Sequence, residues 1–185
     1  MGKIILVTGG ARSGKSAFAE KLALKIGGGR ASYIATAQIF DDEMKFRVEV
    51  HKSRRGENWR TFEAPFNAEE KILEAAQNFD AILFDCVTFY VSNFLCAAEL
   101  DDEKFLYAKL RGLIEKLIDA AKSSDATTIF VSNEVGFGIV PENKLARRFR
   151  DLAGLANQML AAQADKVFLT VAGVAVDVKK LEAIL

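Results

Sequence analysis

Residues Gly9, Gly10, Ala11, Arg12, Ser13, Gly14, Lys15 and Ser16 follow directly on the apolar run Ile4-Ile5-Leu6-Val7. A strand, then Gly-x-x-x-x-Gly-Lys-Ser, then a helix is the setting of a phosphate-binding loop. Gly9 and Gly14 let the backbone curl and turn its N–H groups inward onto an anion. Lys15 brings positive charge to the outer phosphates, and Ser16 brings a hydroxyl for a magnesium ion. The helix that opens there points the positive end of its dipole at the same phosphates. Nucleotide binding is the chemistry these residues predict.

Three further segments carry groups that could act on a bound nucleotide. Asp85 ends the apolar run Ala81-Ile82-Leu83-Phe84. An acid at that position in a P-loop protein holds the nucleotide's magnesium, directly or through water; a plain helix cap is the alternative, since a helix can follow Thr88. His51 is the one histidine in the chain. It lies in a stretch, Asp41–Arg55, that reads as a helix with an acidic first turn and a basic end, matching the dipole. Arg47, His51 and Arg55 share a face at four-residue spacing. A solvated charged face explains that spacing. So does an imidazole aimed at phosphates, held neutral by its cationic neighbours and competent as a nucleophile toward phosphorus. The third segment, Ser132–Arg150, reads SNEVGFGIVPENKLARRFR. Its glycines and Pro141 fit a turn leading into a helix that carries Arg147, Arg148 and Arg150, and polar residues just past a strand end suggest contact with substrate.

These groups need a scaffold that gathers them. Strands are expected at Ile4–Thr8, Ala31–Thr36, Thr61–Glu63, Ala81–Asp85, Thr127–Ser132 and Val167–Val171, with a hairpin strand at Ala175–Val178 after the Ala172-Gly173 turn. Most are continuous apolar runs, the mark of strands covered on both faces. Helices are expected at Lys15–Ile26, Asp41–Arg55, Ala68–Asn78, Asp102–Ser123 and Glu142–Ala164. The 185 residues suit one α/β domain spanning 1–185, a RecA-like P-loop NTPase with a mostly parallel sheet, helices on both faces and a C-terminal antiparallel hairpin. Ligands in such a sheet sit outside the carboxyl ends of the strands. Those ends carry the P-loop, Thr36-Ala37-Gln38, Glu63, Asp85 and Asn133-Glu134.

Composition narrows the partners. Lys plus Arg and Asp plus Glu are 25 each, so formal net charge is zero. Nothing global argues for nucleic acid or an anionic membrane surface. No apolar stretch approaches the ~20 residues of a membrane span, and no signal-peptide pattern is present. Cys86 and Cys96 are too few for a disulfide framework and read as reduced, semi-buried apolar residues. A cytoplasmic protein is expected.

The motifs together resemble the bifunctional adenosylcobinamide kinase / adenosylcobinamide-phosphate guanylyltransferase family of cobalamin nucleotide-loop assembly. The matching stretches are TGGARSGKS (Thr8–Ser16), YIATAQIFDDEM (Tyr33–Met44), RVEVHKSRRGENWRTFE (Arg47–Glu63) and VSNEVGFGIVPENKLARRFRDLAGLANQ (Val131–Gln158). The resemblance covers essentially the whole chain. It implies that ATP or GTP phosphorylates adenosylcobinamide, that GTP then guanylylates a histidine, and that GMP passes to adenosylcobinamide phosphate. Matched residue by residue, His51 is the nucleophile, with Lys15 as a second catalytic group. Ser16 and Asp85 would hold Mg2+. Gly9–Ser16, Ala35, Thr36, Ala37, Lys52, Ser53, Arg54, Arg55, Glu63 and Asp85 would contact GTP. Some relatives carry a His-His pair where this chain has Val50-His51. The family resemblance also implies a homotrimer.

Two other readings remain at this level. A kinase of another small metabolite explains the P-loop and Asp85 but gives His51 no task. A nucleotide-dependent switch would need a mobile segment, which Gly136–Gly138 could supply, and a partner surface, for which no exposed helix or tail stands out.

Overall fold

The computed structural model describes residues 1–38, 49, 55–98 and 102–183. Seven strands run β1 Lys3–Gly9, β2 Ala31–Ala35, β3 Trp59–Glu63, β4 Ala81–Asp85, β5 Thr127–Asn133, β6 Lys166–Val171 and β7 Val174–Asp177. They form one sheet in the order β3-β2-β4-β5-β1-β6-β7. Every pairing is parallel except β6 with β7. The hairpin turns at Ala172 (φ 48°) and Gly173 (φ 85°), the paired positive φ values of a tight turn that follows strand twist. The P-loop strand β1 therefore sits between β5 and β6, with β5 inserted between it and the Asp85 strand, β4.

Among the described residues, five α-helices are complete: α1 Lys15–Ile26, α2 Ala68–Ala76, α3 Val87–Ala97, α4 Glu103–Ser123 and α5 Lys144–Gln163. The continuous apolar runs are explained by burial on both sides. Ile4 and Leu6 join Ile82, Phe84 and Phe130 in a core completed by α2, α3, α4 and α5. Ile5 and Val7, pointing the opposite way, join Leu83, Ile129 and Val131 against α1. The α1 contribution to that second core includes Ala19 and Ala23, both fully buried; small residues there let the helix lie close to the sheet. The expected mostly parallel sheet, two-sided helical cover and terminal hairpin are all present.

Boundaries moved where caps decide them. Helix α5 starts at Lys144 because Asn143 accepts a hydrogen bond from Ala146 N at 3.1 Å, which leaves Pro141 outside the helix. Asp102 caps α4 through Lys104 N and Phe105 N, as the acidic start of that segment suggests. Helix α3 was not expected in full: its sequence, VTFYVSNFLCA, is rich in β-branched and aromatic residues of low helix propensity. Burial overrides propensity here, with Val87, Tyr90 and Val91 at 1% exposure or less. The expected helix Asp41–Arg55 falls largely outside the described residues; within it Glu49 is helical and Arg55 is not. Among the described residues no helix is long and apolar enough to cross a membrane.

Phe84 is fully buried and touches the rings of Tyr90 (5.6 Å) and Phe130 (5.1 Å) at the centre of the larger core. Phe84→Ala should lower unfolding free energy by about 3–5 kcal/mol, read from urea denaturation. A loss below 1 kcal/mol would mean that this cluster is not the core that carries the sheet.

Candidate active site

The P-loop is fastened at three points. Glu134 N donates to Gly9 O at 3.0 Å, Gly173 N donates to Ser13 O at 2.9 Å, and the buried Ser13 and Thr170 hydroxyls pair at 2.8 Å. Gly9 tolerates no side chain: a Cβ there would lie 2.4 Å from Thr170 Oγ1 and 2.5 Å from its carbonyl oxygen. Gly14 takes φ 94° at the N-cap of α1, and no side chain caps that end. The first N–H groups of the helix therefore face outward, available to an anion. Gly10, Ala11 and Arg12 form the exposed rim, with Arg12 at φ 55°.

Lys15 is half-buried and its Nζ donates to Gly10 O at 3.2 Å. Burial lowers its pKa, while the Asp85 carboxylate acts in the opposite direction. Ser16 follows it, partly exposed in the first turn.

Asp85 is held from β2. Its register partner on that strand is Ala35. Thr36, just beyond, receives Cys86 N on its hydroxyl at 2.8 Å and donates that hydroxyl to Cys86 O at 2.8 Å. Thr36 N also donates to Asp85 O, at 3.2 Å. The buried Asn93 of α3 locks the same corner by donating to Thr36 O at 2.7 Å and Pro65 O at 3.1 Å. The cap of α3 is Cys86, whose sulfur accepts from Phe89 N, so the helix-cap alternative for Asp85 is set aside. Asp85 receives the Tyr33 hydroxyl on Oδ2 at 3.0 Å. Burial, and then the neighbouring Asp85 charge, push the Tyr33 phenol well above its ordinary pKa, so it stays a donor.

Ala35 and Ala37 are half-buried beside the Asp85 corner, and Thr36 is fully buried with all its polar groups engaged. Glu63 ends β3, exposed, opposite Ala35. The Arg55 guanidinium lies 3.4 Å above the Tyr33 ring centroid, and its buried Nε and Nη1 have no hydrogen-bond partner among the described residues. His51, Lys52, Ser53 and Arg54 lie outside the described residues.

The Ser132–Arg150 segment behaves as a braced loop. Arg150 donates to Gly136 O at 2.7 Å, and Arg147 donates to the carbonyls of Pro141 and Glu142 at 3.1 and 2.5 Å. Arg148 pairs with Glu103 at 3.5 Å. Arg147 and Arg150 support the loop, while Arg148 ties α5 to α4; the loop's tip exposes apolar side chains, with Phe137 87%, Ile139 97% and Val140 62% exposed. Tyr33 and Asn93 had no role in the sequence reading. Their only signals are a hydroxyl in an otherwise apolar strand and an amide in an apolar helix.

A divalent ion fits this donor set. Among the described residues no three His, Cys, Asp or Glu side chains gather as ligands. An ion carried on nucleotide phosphates needs only a carboxylate or two besides, and Asp85 together with Ser16 supplies a carboxylate and a hydroxyl beside the P-loop.

The profile of the cobinamide kinase / cobinamide phosphate guanyltransferase family matches residues 5–178. The chain belongs to this family. It is 48% identical over 183 residues to the bifunctional adenosylcobalamin biosynthesis protein CobU of Salmonella typhimurium, covering 95% of this chain and 99% of that one. It is 45% identical to the CobU of Escherichia coli over the same shares of the two chains. The CobP protein of Pseudomonas aeruginosa is 40% identical over 174 residues, 94% of this chain and 96% of that one. A cobinamide kinase / guanyltransferase must bring a nucleoside triphosphate to two acceptors in turn, and among the described residues one P-loop lies near the Asp85 carboxylate.

Cysteine chemistry gives a direct check on the packing behind Asp85. Cys86 is buried and Cys96 exposed, which corrects the expectation that both are semi-buried. Burial and the Asp85 charge push the Cys86 thiol up to about 12 from 9.0. Iodoacetamide at pH 8 should therefore modify Cys96 and spare Cys86, read by mass spectrometry; alkylation of both at similar rates would contradict this environment. Below the ordinary thiol value of 9.0 the neutral Cys86 thiol costs nothing, and stability falls as pH rises from there toward about 12.

Proposed function

We propose that the chain phosphorylates adenosylcobinamide with ATP or GTP and then, through a guanylylated His51, converts the product to adenosylcobinamide-GDP in the same crevice. The observation that carries this reading is the meeting of one helix-backed P-loop and the clamped Asp85 at the strand ends, in a chain of the cobinamide kinase / guanyltransferase family.

In the first step the P-loop N–H groups and Lys15 hold the β- and γ-phosphates. The acceptor hydroxyl attacks the γ-phosphorus, its bond to the β-phosphate oxygen breaks, and nucleoside diphosphate leaves. In the second, an imidazole nitrogen of His51 attacks the α-phosphorus of GTP and pyrophosphate leaves. A phosphate oxygen of adenosylcobinamide phosphate then displaces His51 from the GMP phosphorus, forming the diphosphate bond and freeing the imidazole. Mg2+, held by Ser16 and Asp85, would offset the charge that builds on the leaving phosphates. Lys52, Ser53, Arg54, Arg55 and Glu63 contact GTP in this scheme. Ala35, Thr36 and Ala37 line the same corner, with Thr36 acting through the Asp85 backbone. The braced apolar tip at Phe137, Ile139 and Val140 supports the reading that loop 134–143 meets a large substrate. Family resemblance supports a homotrimer, and the cytoplasm is the compartment proposed for it.

A phosphoramidate on imidazole is labile in acid and stable in alkali, unlike a serine phosphoester. Wild-type protein with α-labelled GTP and magnesium should take up label that acid releases. His51→Ala should take up none, as the chain has no second histidine. It should keep part of its phosphorylation activity, because γ-phosphoryl transfer needs no covalent intermediate. Wild-type labelling in His51→Ala would refute the assignment, and joint loss of both reactions would make His51 a positioning group.

A further inference from the structure

We propose that Tyr33 is a positioning residue for both sides of this crevice: its hydroxyl orients the Asp85 carboxylate toward the phosphate-borne metal, and its ring carries the Arg55 guanidinium above the same space. The proposal rests on the reading of Asp85 as the metal-side acid. Tyr33 pairs in register with Leu83 of β4, so Asp85, two residues on, projects from the same face of the sheet. The 3.0 Å contact from Tyr33 Oη to Asp85 Oδ2 spans that diagonal. With Oδ2 accepting that bond, the Tyr33 hydroxyl restricts the rotation of the carboxylate.

Two observations show a built platform rather than a chance contact. Tyr33 is itself 5% exposed, and Trp59 packs edge-on against it at 6.3 Å and 80°, fixing the ring plane. Arg55 stacks on that ring at 3.4 Å with Nε and Nη1 buried and unpartnered among the described residues. A guanidinium held flat on an aromatic face keeps its N–H edge free for an acceptor, and phosphate oxygens are the acceptors a P-loop brings. One side chain thus ties the placement of the acid to the placement of a cation.

The test separates the two halves. Manganese binding in the presence of GDP is titrated by electron paramagnetic resonance, and GDP binding in EDTA is measured by calorimetry, for wild type, Tyr33→Phe, Tyr33→Leu and Asp85→Asn. Thermal melts check that each variant is folded. Tyr33→Phe keeps the ring and should weaken manganese binding about tenfold, the scale of removing an outer partner of a metal ligand, with metal-free GDP affinity unchanged. Tyr33→Leu should weaken both, and Asp85→Asn should weaken manganese binding at least as much as Tyr33→Phe. Wild-type manganese affinity in Tyr33→Phe alongside a loss in Asp85→Asn would overturn the role of the hydroxyl while leaving Asp85 its metal. Wild-type affinity in both would overturn the Asp85 reading and this proposal together. Tyr33→Leu binding GDP normally in EDTA would overturn the platform for Arg55.

Discussion

The crevice depends on a close approach of two backbones. At Gly9 the chain passes so near β6 that a Cβ would collide with Thr170, and the Ser13–Thr170 and Gly173–Ser13 hydrogen bonds then hold the P-loop against the hairpin turn. The loop is therefore shaped before any anion arrives, and its N–H groups bear no cost of ordering on binding. The antiparallel hairpin, which looks like an appendage to a parallel sheet, is what braces the phosphate site.

The opposite wall is built by different means. Asp85 sits one strand further away, across β5, and depends on side chains: Thr36 and Asn93 fix its backbone, and Tyr33 holds its carboxylate. Each of these groups is buried and hydrogen-bonded, the condition under which such a network sharpens geometry rather than weakening the fold. A fixed phosphate cradle facing a fixed acid suits transfer chemistry, in which positioning and charge supply most of the rate.

Much of this was legible in the residues. The P-loop announced its strand, turn and helix because glycine spacing and chain geometry leave few alternatives, and the two-sided apolar runs gave the parallel sheet. Asp85 could be found as an acid at a strand end. Its supports could not, since nothing in Thr36, Asn93 or Tyr33 separates a structural hydroxyl or amide from a core residue until the strands are in register. Helix α3 was hidden because its aromatic and β-branched sequence is helical only through burial. The arginines after Pro141 could be placed on a helix, but not that Arg147 and Arg150 donate to loop carbonyls; exposed side-chain chemistry is visible in sequence, but where it is directed is not. The P-loop alone names only a superfamily; the Val131–Gln158 stretch together with the histidine segment Arg47–Glu63 pointed to the family that the comparison of sequences shows.

That one phosphate cradle serves both transfers is tested most directly by Lys15→Ala, assayed in parallel for phosphorylation of adenosylcobinamide and for GMP transfer to its phosphate. A shared cradle predicts that both rates fall together and by comparable factors. Loss of phosphorylation with guanylyl transfer at the wild-type rate would contradict it and require a second nucleotide site.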